Sequence, residues 1–352
     1  MAIGISPCPP FVKPNSVPGV LWDGNTAAWY KHNDPVAGVI KDGANRVSFW
    51  LDKMGYSIGP ELVNQVAWYT AAYWDTFDAN WSQVGNTLSS NGNNGVVQKN
   101  GFWAVGSTYK ITYTVIVIAG TMEAPFDGVT LSGQSSIVSE TKTYYYTPGA
   151  VNVRVTSIVF NGTITALSIK QVTGNHLLQA TAASQPLWSA ANGVLFDGVN
   201  DLMKATAFAL VQPEMIYLVI RQITWGINRA FCDGNAVANR MVVYQNNASP
   251  EIDILIVAPV CPNINLILNT LSIVKVLFNG ANSFSQVNLT AQSLGNVGVG
   301  DGNGFTLGGR YDGAAANYCN IEVKEIIIRR TADNAATQAA IYNYLKSANA
   351  VP

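Results

Sequence analysis

The sequence predicts an all-β protein built as two antiparallel sandwiches, the second inserted in a loop of the first, with one helix at the C-terminus. Three observations carry this expectation. Charged residues are 12% of the 352-residue chain and hydrophobic residues 48%, with 31 glycines, which suits turn-dense β domains better than charged amphipathic helices. Short β-branched runs bounded by Gly, Asn, Pro or Asp recur through the second half, at the spacing of sandwiches and barrels. Two pieces of what reads as one phrase, RVSFWLDKMG (46–55) and GNHLLQATAASQPLW (174–188), stand more than a hundred residues apart.

The elements follow in chain order. Residues 1–19 carry five prolines between positions 7 and 18, so they cannot sustain a helix and should run extended as an arm. Pro7, Pro9, Pro10, Phe11 and Pro14 are the residues expected to anchor that arm on a partner. The arm lacks a basic region followed by an apolar run, so it is not expected to act as a secretory signal. No apolar stretch approaches the roughly 20 residues that span a bilayer. Residues 20–55 open the first sandwich and residues 174–352 complete it. Between them, TYKITYTVIVIAG (108–120) and VNVRVTSIVFNGTITALSIKQV (151–172) alternate as strands, the second with an expected turn at Asn161–Gly162. Strands are then expected at 215–223, 240–245, 251–258, 271–280 and 320–330. In the last, Ile321 and Val323 share one parity while Ile326 and Ile328 share the other. A side-chain period of two cannot switch faces without an extra residue, so a bulge near Lys324–Glu325, or burial of both faces, is expected. The segment 331–350 reads as the helix, with Asp333 as its N-cap.

The motifs AAWYKHNDP (27–35), NRVSFWLDKMG (45–55), GNHLLQATAASQPLW, VLFDGVND (194–201) and FTLGGRYDG (305–313) occur in that order. With the closing strand and helix they resemble a concanavalin A-like, laminin-G-type jelly roll. In that family the Trp-Asp-Lys-x-Gly piece runs almost directly into the Gly-Asn-His-Leu piece, so the resemblance implies that residues 56–173 are an inserted domain, as loop tips of stable sandwiches tolerate. That insert has its own motifs, GPELVNQ (59–65), NWSQVG (80–85), VGSTYKITYTV (105–115) and FNGTITALSIKQV (160–172). They are similar to the carbohydrate-binding-module-like jelly rolls common in phage structural proteins.

The chemistry-bearing residues are sparse. A net charge of −1 gives no field to draw a polyanion, so nucleic-acid binding is not expected. Cys8, Cys232, Cys261 and Cys319 are scattered and read as free thiols. Glycan hydrolysis needs paired carboxylates. Glu251 and Asp253 come nearest to a Glu-x-Asp-x-x-Glu strand, but Ile256 takes the third position. His32 and His176 accompany no nucleophile elbow, so no enzyme activity and no cofactor are expected. Asp197, Asp201, Asp301 and Asp312 lie in Gly/Asn-rich turns. The laminin-G-like resemblance implies that they could ligate Ca²⁺ in rim loops, although turn formation is the default for such residues and calcium asks for six to eight oxygens. Sugar contact would use flat aromatics, and Trp74 with Tyr144, Tyr145 and Tyr146 are the candidates; Trp81 and Trp103 are assigned to the core. On a strand Tyr144 and Tyr146 share one face and Tyr145 takes the other, so an exposed platform should be the pair or the single ring.

The expected function is a structural protein of a bacteriophage virion: a capsid decoration, head fibre or other capsid- or tail-attached protein. It would be assembled in the host cytoplasm, bound to other virion proteins through the arm, homo-oligomeric with a trimer favoured, and in contact with host surface glycans. The alternatives are a stand-alone carbohydrate-binding protein and a polysaccharide-degrading enzyme.

Overall fold

The structure is a computed structural model and describes residues 17–126, 136–238, 240–247, 250–314 and 317–352. The expected anchor residues Pro7, Pro9, Pro10, Phe11 and Pro14 lie outside the described residues. The fold is all-β, with three antiparallel sheets among the described residues and one C-terminal helix.

Two of the sheets face each other and are built from the chain on either side of residues 57–173. One has nine strands, in the order Val39–Lys41, Val47–Trp50, Leu177–Leu178, Met203–Leu210, Gly302–Leu307, Arg229–Asp233, Val242–Gln245, Ile252–Leu255 and Pro259–Asn263. The other has eight and is centred on Asn320–Arg329, which pairs with Thr26–Lys31, Gly193–Asp197 and Glu214–Gln222. Alternate side chains of both meet in one core: Trp50, Leu177, Phe305 and Leu307 from the first, Ile216, Leu218, Ile326 and Ile328 from the second. The parity switch in the last strand is resolved by a bulge. Val219 pairs with Glu325 and Ile220 with Val323, so Lys324 is the extra residue. It lets Ile321, Val323, Ile326 and Ile328 all reach the same core.

The opposite face of the eight-stranded sheet is covered by the helix Ala335–Asn349, whose Ile341 and Leu345 pack on Trp29, Tyr217 and Ile327. Its N-cap is Asn334, which accepts from the Thr337 N–H at 2.9 Å, and not the expected Asp333. Asp333 is drawn inward instead, accepting from the Tyr217 hydroxyl at 2.9 Å and from the buried Arg329 guanidinium. A tertiary ion pair outcompetes the local cap, and the neighbouring Asn takes over the capping role.

The strands of residues 57–173 form the third sheet, among the described residues, around a separate core containing Trp68, Trp74, Trp81 and Trp103. Two long strands, Thr108–Phe126 and Val153–Thr173, run beside each other for most of their length. The turn expected at Asn161–Gly162 does not form; both residues lie inside the second strand. Gly162 is there for close approach, since a Cβ would stand 2.3 Å from the Ile116 carbonyl oxygen and 2.6 Å from the Phe160 ring. The chain bends just before it, where Val159 takes a φ of 51° and the register shifts.

This central segment leaves and rejoins the outer sandwich at one point. A Cβ on Gly55 would stand 2.6 Å from the Gly174 Cα. Asp52, fully buried, holds both sides of the junction: its Oδ1 accepts the Trp29 and Met54 N–H groups at 2.9 and 3.0 Å and its Oδ2 the Asn175 N–H at 3.0 Å. The Asp52 N–H in turn donates to His176 Nδ1 at 3.0 Å. Burial lowers the His176 pKa to about 4, so the ring is neutral at pH 7 and can accept this bond. The LDKMG and GNHLL pieces are thus the two halves of one hydrogen-bonded clasp, and His176 is a structural acceptor within it.

Candidate functional site

The tyrosine triplet sits on Glu140–Tyr146, the edge strand of the central sheet that pairs with Thr108–Phe126. Alternation places its rings as the period of two requires, but neither face is an open platform. Tyr144 points into the central core at 3% exposure, and Tyr146 packs partly buried against the same core. Tyr145, at 8% exposure, points the other way and meets the outer sandwich. Its ring lies 5.8 Å from that of Phe49 and its hydroxyl 3.1 Å from that of Tyr56. Burial raises the pKa of Tyr144 and Tyr145 above the phenolic value, so both stay protonated. Trp74 is buried too, with its Nε1–H donated to the Trp68 carbonyl at 2.6 Å. The expectation of freely exposed stacking rings is therefore corrected for Trp74, Tyr144 and Tyr145. Each found an apolar surface to cover, and burying a ring contributes more than leaving it in water.

The outer sandwich supplies the matching surface. On Val47–Trp50 and Leu177–Leu178, Trp50 and Leu177 point into the inter-sheet core, while Phe49 and Leu178 point out and join Ala37, Leu51, Tyr145 and Val172 in a small apolar contact. Beside this contact the two parts diverge and leave a cleft of about 430 Å³, within the size range of small-ligand sites. One wall is the edge strand from Lys142 to Thr147; the other comprises Ile40 to Gly43, Arg46, Ser48 and Phe49, with Leu178 to Ala180, Ala182 and Gln185. The sequence candidates Tyr144, Tyr145 and Tyr146 therefore do line a cavity, as part of a wall rather than as a platform.

The polar groups of the cleft come mainly from the outer sandwich. Lys41 Nζ donates to Asn45 Oδ1 at 2.6 Å and lies 4.7 Å from the centre of the Trp188 ring. Arg46 grips Asp42 through Nε and Nη2 at 2.8 and 2.7 Å. Those contacts hold the Asp42 pKa below its usual value against a burial effect that raises it. The Gln185 amide donates to the Gln179 carbonyl at 2.8 Å, and the Gln179 amide to the Leu202 carbonyl at 2.8 Å. The result is an amphipathic slot: apolar floor, amide and cationic rim, and one lining carboxylate, Asp42, already held by an arginine. Lys41, Asp42, Arg46, Gln179 and Gln185 were not singled out from the sequence. The available signal was that the Val47–Trp50 strand is apolar at both parities, so its outward face needed a cover.

The four aspartates considered for calcium are not brought together as a set. Asp197 accepts the Val199 and Asn200 N–H groups, and Asp201 accepts the Asp197 N–H at 3.0 Å. Asp301 accepts the Gln212 N–H, and Asp312 is held by Arg310. Burial, with the neighbouring Asp197 charge, raises the Asp201 pKa to about 6. Each carboxylate instead satisfies backbone donors of its own turn or a neighbouring loop. Among the described residues, no three His, Cys, Asp or Glu side chains stand close enough to share a metal ion. Of the carboxylates considered for hydrolysis, Asp253 is buried opposite Tyr244 with its pKa raised by burial, and the flanking Ile252 and Ile254 fill the inter-sheet core.

Compared with known proteins, the sequence matches no family model and no curated protein. Among solved structures it is similar to Trypanosoma rangeli sialidase in complex with sialic acid, at 14% identity and a TM-score of 0.36, over 50% of this chain and 31% of that one. A mutant of the same sialidase displaying trans-sialidase activity matches at 16% identity and a TM-score of 0.34, over 46% of this chain and 28% of that one. The chain thus spans about a third of the length of the sialidases it resembles.

Proposed function

We propose that this chain is a non-catalytic structural protein of a bacteriophage virion, and that it contacts glycans in the cleft between its outer sandwich and its central segment. The observation that carries the glycan reading is the make-up of that cleft. It combines largely buried tyrosine and phenylalanine surface with two glutamines, two lysines and an arginine–aspartate pair, the mixture of apolar faces and positioned hydrogen-bonding groups that sugar rings require. Binding is favoured over hydrolysis because most glycosidases use two carboxylates across the scissile bond, whereas Asp42 is the single lining carboxylate among the described residues. The virion setting rests on the resemblance of residues 56–173 to jelly rolls common in phage structural proteins, together with the low charge, the Asn/Gly-rich turns and the Pro-rich arm.

A bacterial glycan array probed with the full chain should capture at least one surface glycan. Lys41→Gln combined with Gln185→Ala should weaken that binding about ten-fold, near 1.4 kcal/mol, with an unchanged melting temperature. Retained affinity in the double variant would place glycan contact elsewhere, and an empty array would remove it. Mass spectrometry of purified virions separates the structural protein from a stand-alone glycan-binding protein: stoichiometric presence supports the first, and absence the second.

A further inference from the structure

A second depression opens on the outward face of the nine-stranded sheet, away from the cleft. Ala230, Val242, Tyr244 and Leu255 form its apolar floor, on strands whose alternate residues Phe231, Val243 and Ile254 fill the inter-sheet core. Its volume is about 340 Å³, and its rim is Asn228, Arg240, Arg310 and Asn317. Among the described residues, no carboxylate lines it.

The two guanidiniums are held in place from behind. Arg240 Nε and Nη2 engage Asp233 at 3.1 and 3.0 Å, and Arg310 Nε engages Asp312 at 2.8 Å. Their Cζ atoms stand 5.4 and 5.6 Å from the centre of the Tyr311 ring, so one aromatic ring packs beside both. Asp233 is further satisfied by the Gly234 and Tyr311 N–H groups at 2.8 and 3.2 Å, and Asp312 by the Ala314 N–H at 3.2 Å. Each arginine therefore spends its Nε–Nη2 edge on its own aspartate, while Nη1 of each has no partner among the described residues. Two held guanidiniums thus line one small apolar-floored hollow, each with an Nη1 left to donate to a carboxylate. The Asn317 amide donates to the Asn228 carbonyl at 2.6 Å, which leaves its Oδ1 and the Asn228 side chain for hydroxyl groups.

We propose that this depression binds an acidic sugar: the carboxylate engages Arg240 and Arg310, the ring's apolar face rests on Tyr244 and Leu255, and the hydroxyls reach Asn228 and Asn317. The inference is independent of the glycan reading of the cleft, because the residues of the two sites do not overlap. A bare inorganic anion would use the arginines but not the floor, so a uronic acid is the better match than phosphate.

The test titrates the full chain with glucuronate, with glucose and inorganic phosphate as comparisons, and follows the Arg Nε–H signals by NMR. Glucuronate should shift the Arg240 and Arg310 signals saturably, at concentrations where glucose and phosphate leave them in place. Arg310→Gln removes one donor edge from an ion pair whose side chains are both about 30% exposed, so the fold should be untouched and glucuronate affinity should fall about ten-fold. Arg240→Lys keeps the charge beside buried Asp233 but loses the fork, and should weaken binding similarly. Lys41→Gln in the cleft should change nothing here. Absence of a saturable shift, equal response to glucose, or full affinity in both arginine variants would overturn the proposal.

Discussion

Replacing Arg329 by alanine should lower the unfolding free energy by about 3–5 kcal/mol, the usual cost of removing one partner of a buried ion pair. Its side chain is 1% exposed and joins three parts of the chain. Nη2 reaches Asp333 Oδ1 at 2.8 Å and Asp23 Oδ2 at 2.9 Å. Nη1 donates to Asp23 Oδ1 at 2.9 Å, Thr26 Oγ1 at 3.0 Å and the Val20 carbonyl at 2.6 Å. The guanidinium so ties the start of the outer sandwich to its last strand and to the entry of the C-terminal helix. Alanine leaves Asp333 buried beside Tyr217 with its cation gone. Urea denaturation of the two proteins at pH 7 measures the loss. Arg329→Lys should lie between them, since an ammonium keeps the charge but cannot span all five acceptors. A cost below about 1 kcal/mol for alanine, the scale of an exposed pair, would refute the bracing role.

Glu214 should make the protein less stable as pH rises above the ordinary carboxylate range, and Glu214→Gln should remove that contribution. The residue has the same parity as Ile216 and Leu218, which face the inter-sheet core. It is fully buried, and neither carboxylate oxygen has a hydrogen-bond partner among the described residues. Burial, the dominant cause, raises its pKa well above the ordinary value of 4.5. The folded state then keeps a proton that the unfolded chain releases. Unfolding is favoured with rising pH throughout the window between the two pKa values, by about 1.4 kcal/mol per pH unit. Comparing the natural chain with Glu214→Gln isolates this residue, because the other groups that titrate between the folded and unfolded states, His32, His176, Asp201 and Lys275, are common to both proteins. Chemical denaturation across the pH range above 4.5 should give a stability that falls more steeply, or rises less, with pH for the natural chain than for Glu214→Gln. A slope common to both would assign the effect to another group.

The fold was legible where one local rule and one tertiary need agreed. β-branched runs between turn residues became strands, and the parity conflict between Val323 and Ile326 required the extra residue that Lys324 supplies. Local rules failed where a distant partner outbid them. Arg329 took Asp333 from its capping position, and the close approach of Ile116 and Phe160 placed Gly162 inside a strand instead of a turn. The tyrosine triplet shows the same limit. Alternation assigned Tyr144 and Tyr145 to opposite faces, but it carries no information on what covers the second face. The cover proved to be Phe49, ninety-six positions earlier in the chain. Lys41, Arg46, Gln179 and Gln185 were illegible for a related reason. Each is an ordinary surface residue until the edge strand Glu140–Tyr146 is folded back across them.

The central claim, that glycan is held between the two parts of the molecule, is tested most directly by hydrogen–deuterium exchange of the full chain with and without the glycan captured on the array. The account predicts slowed exchange at residues 40–48, 142–147 and 178–185 together, because those segments form the two walls of one cleft. Protection confined to one wall, or protection appearing only around Arg240 and Arg310, would contradict it.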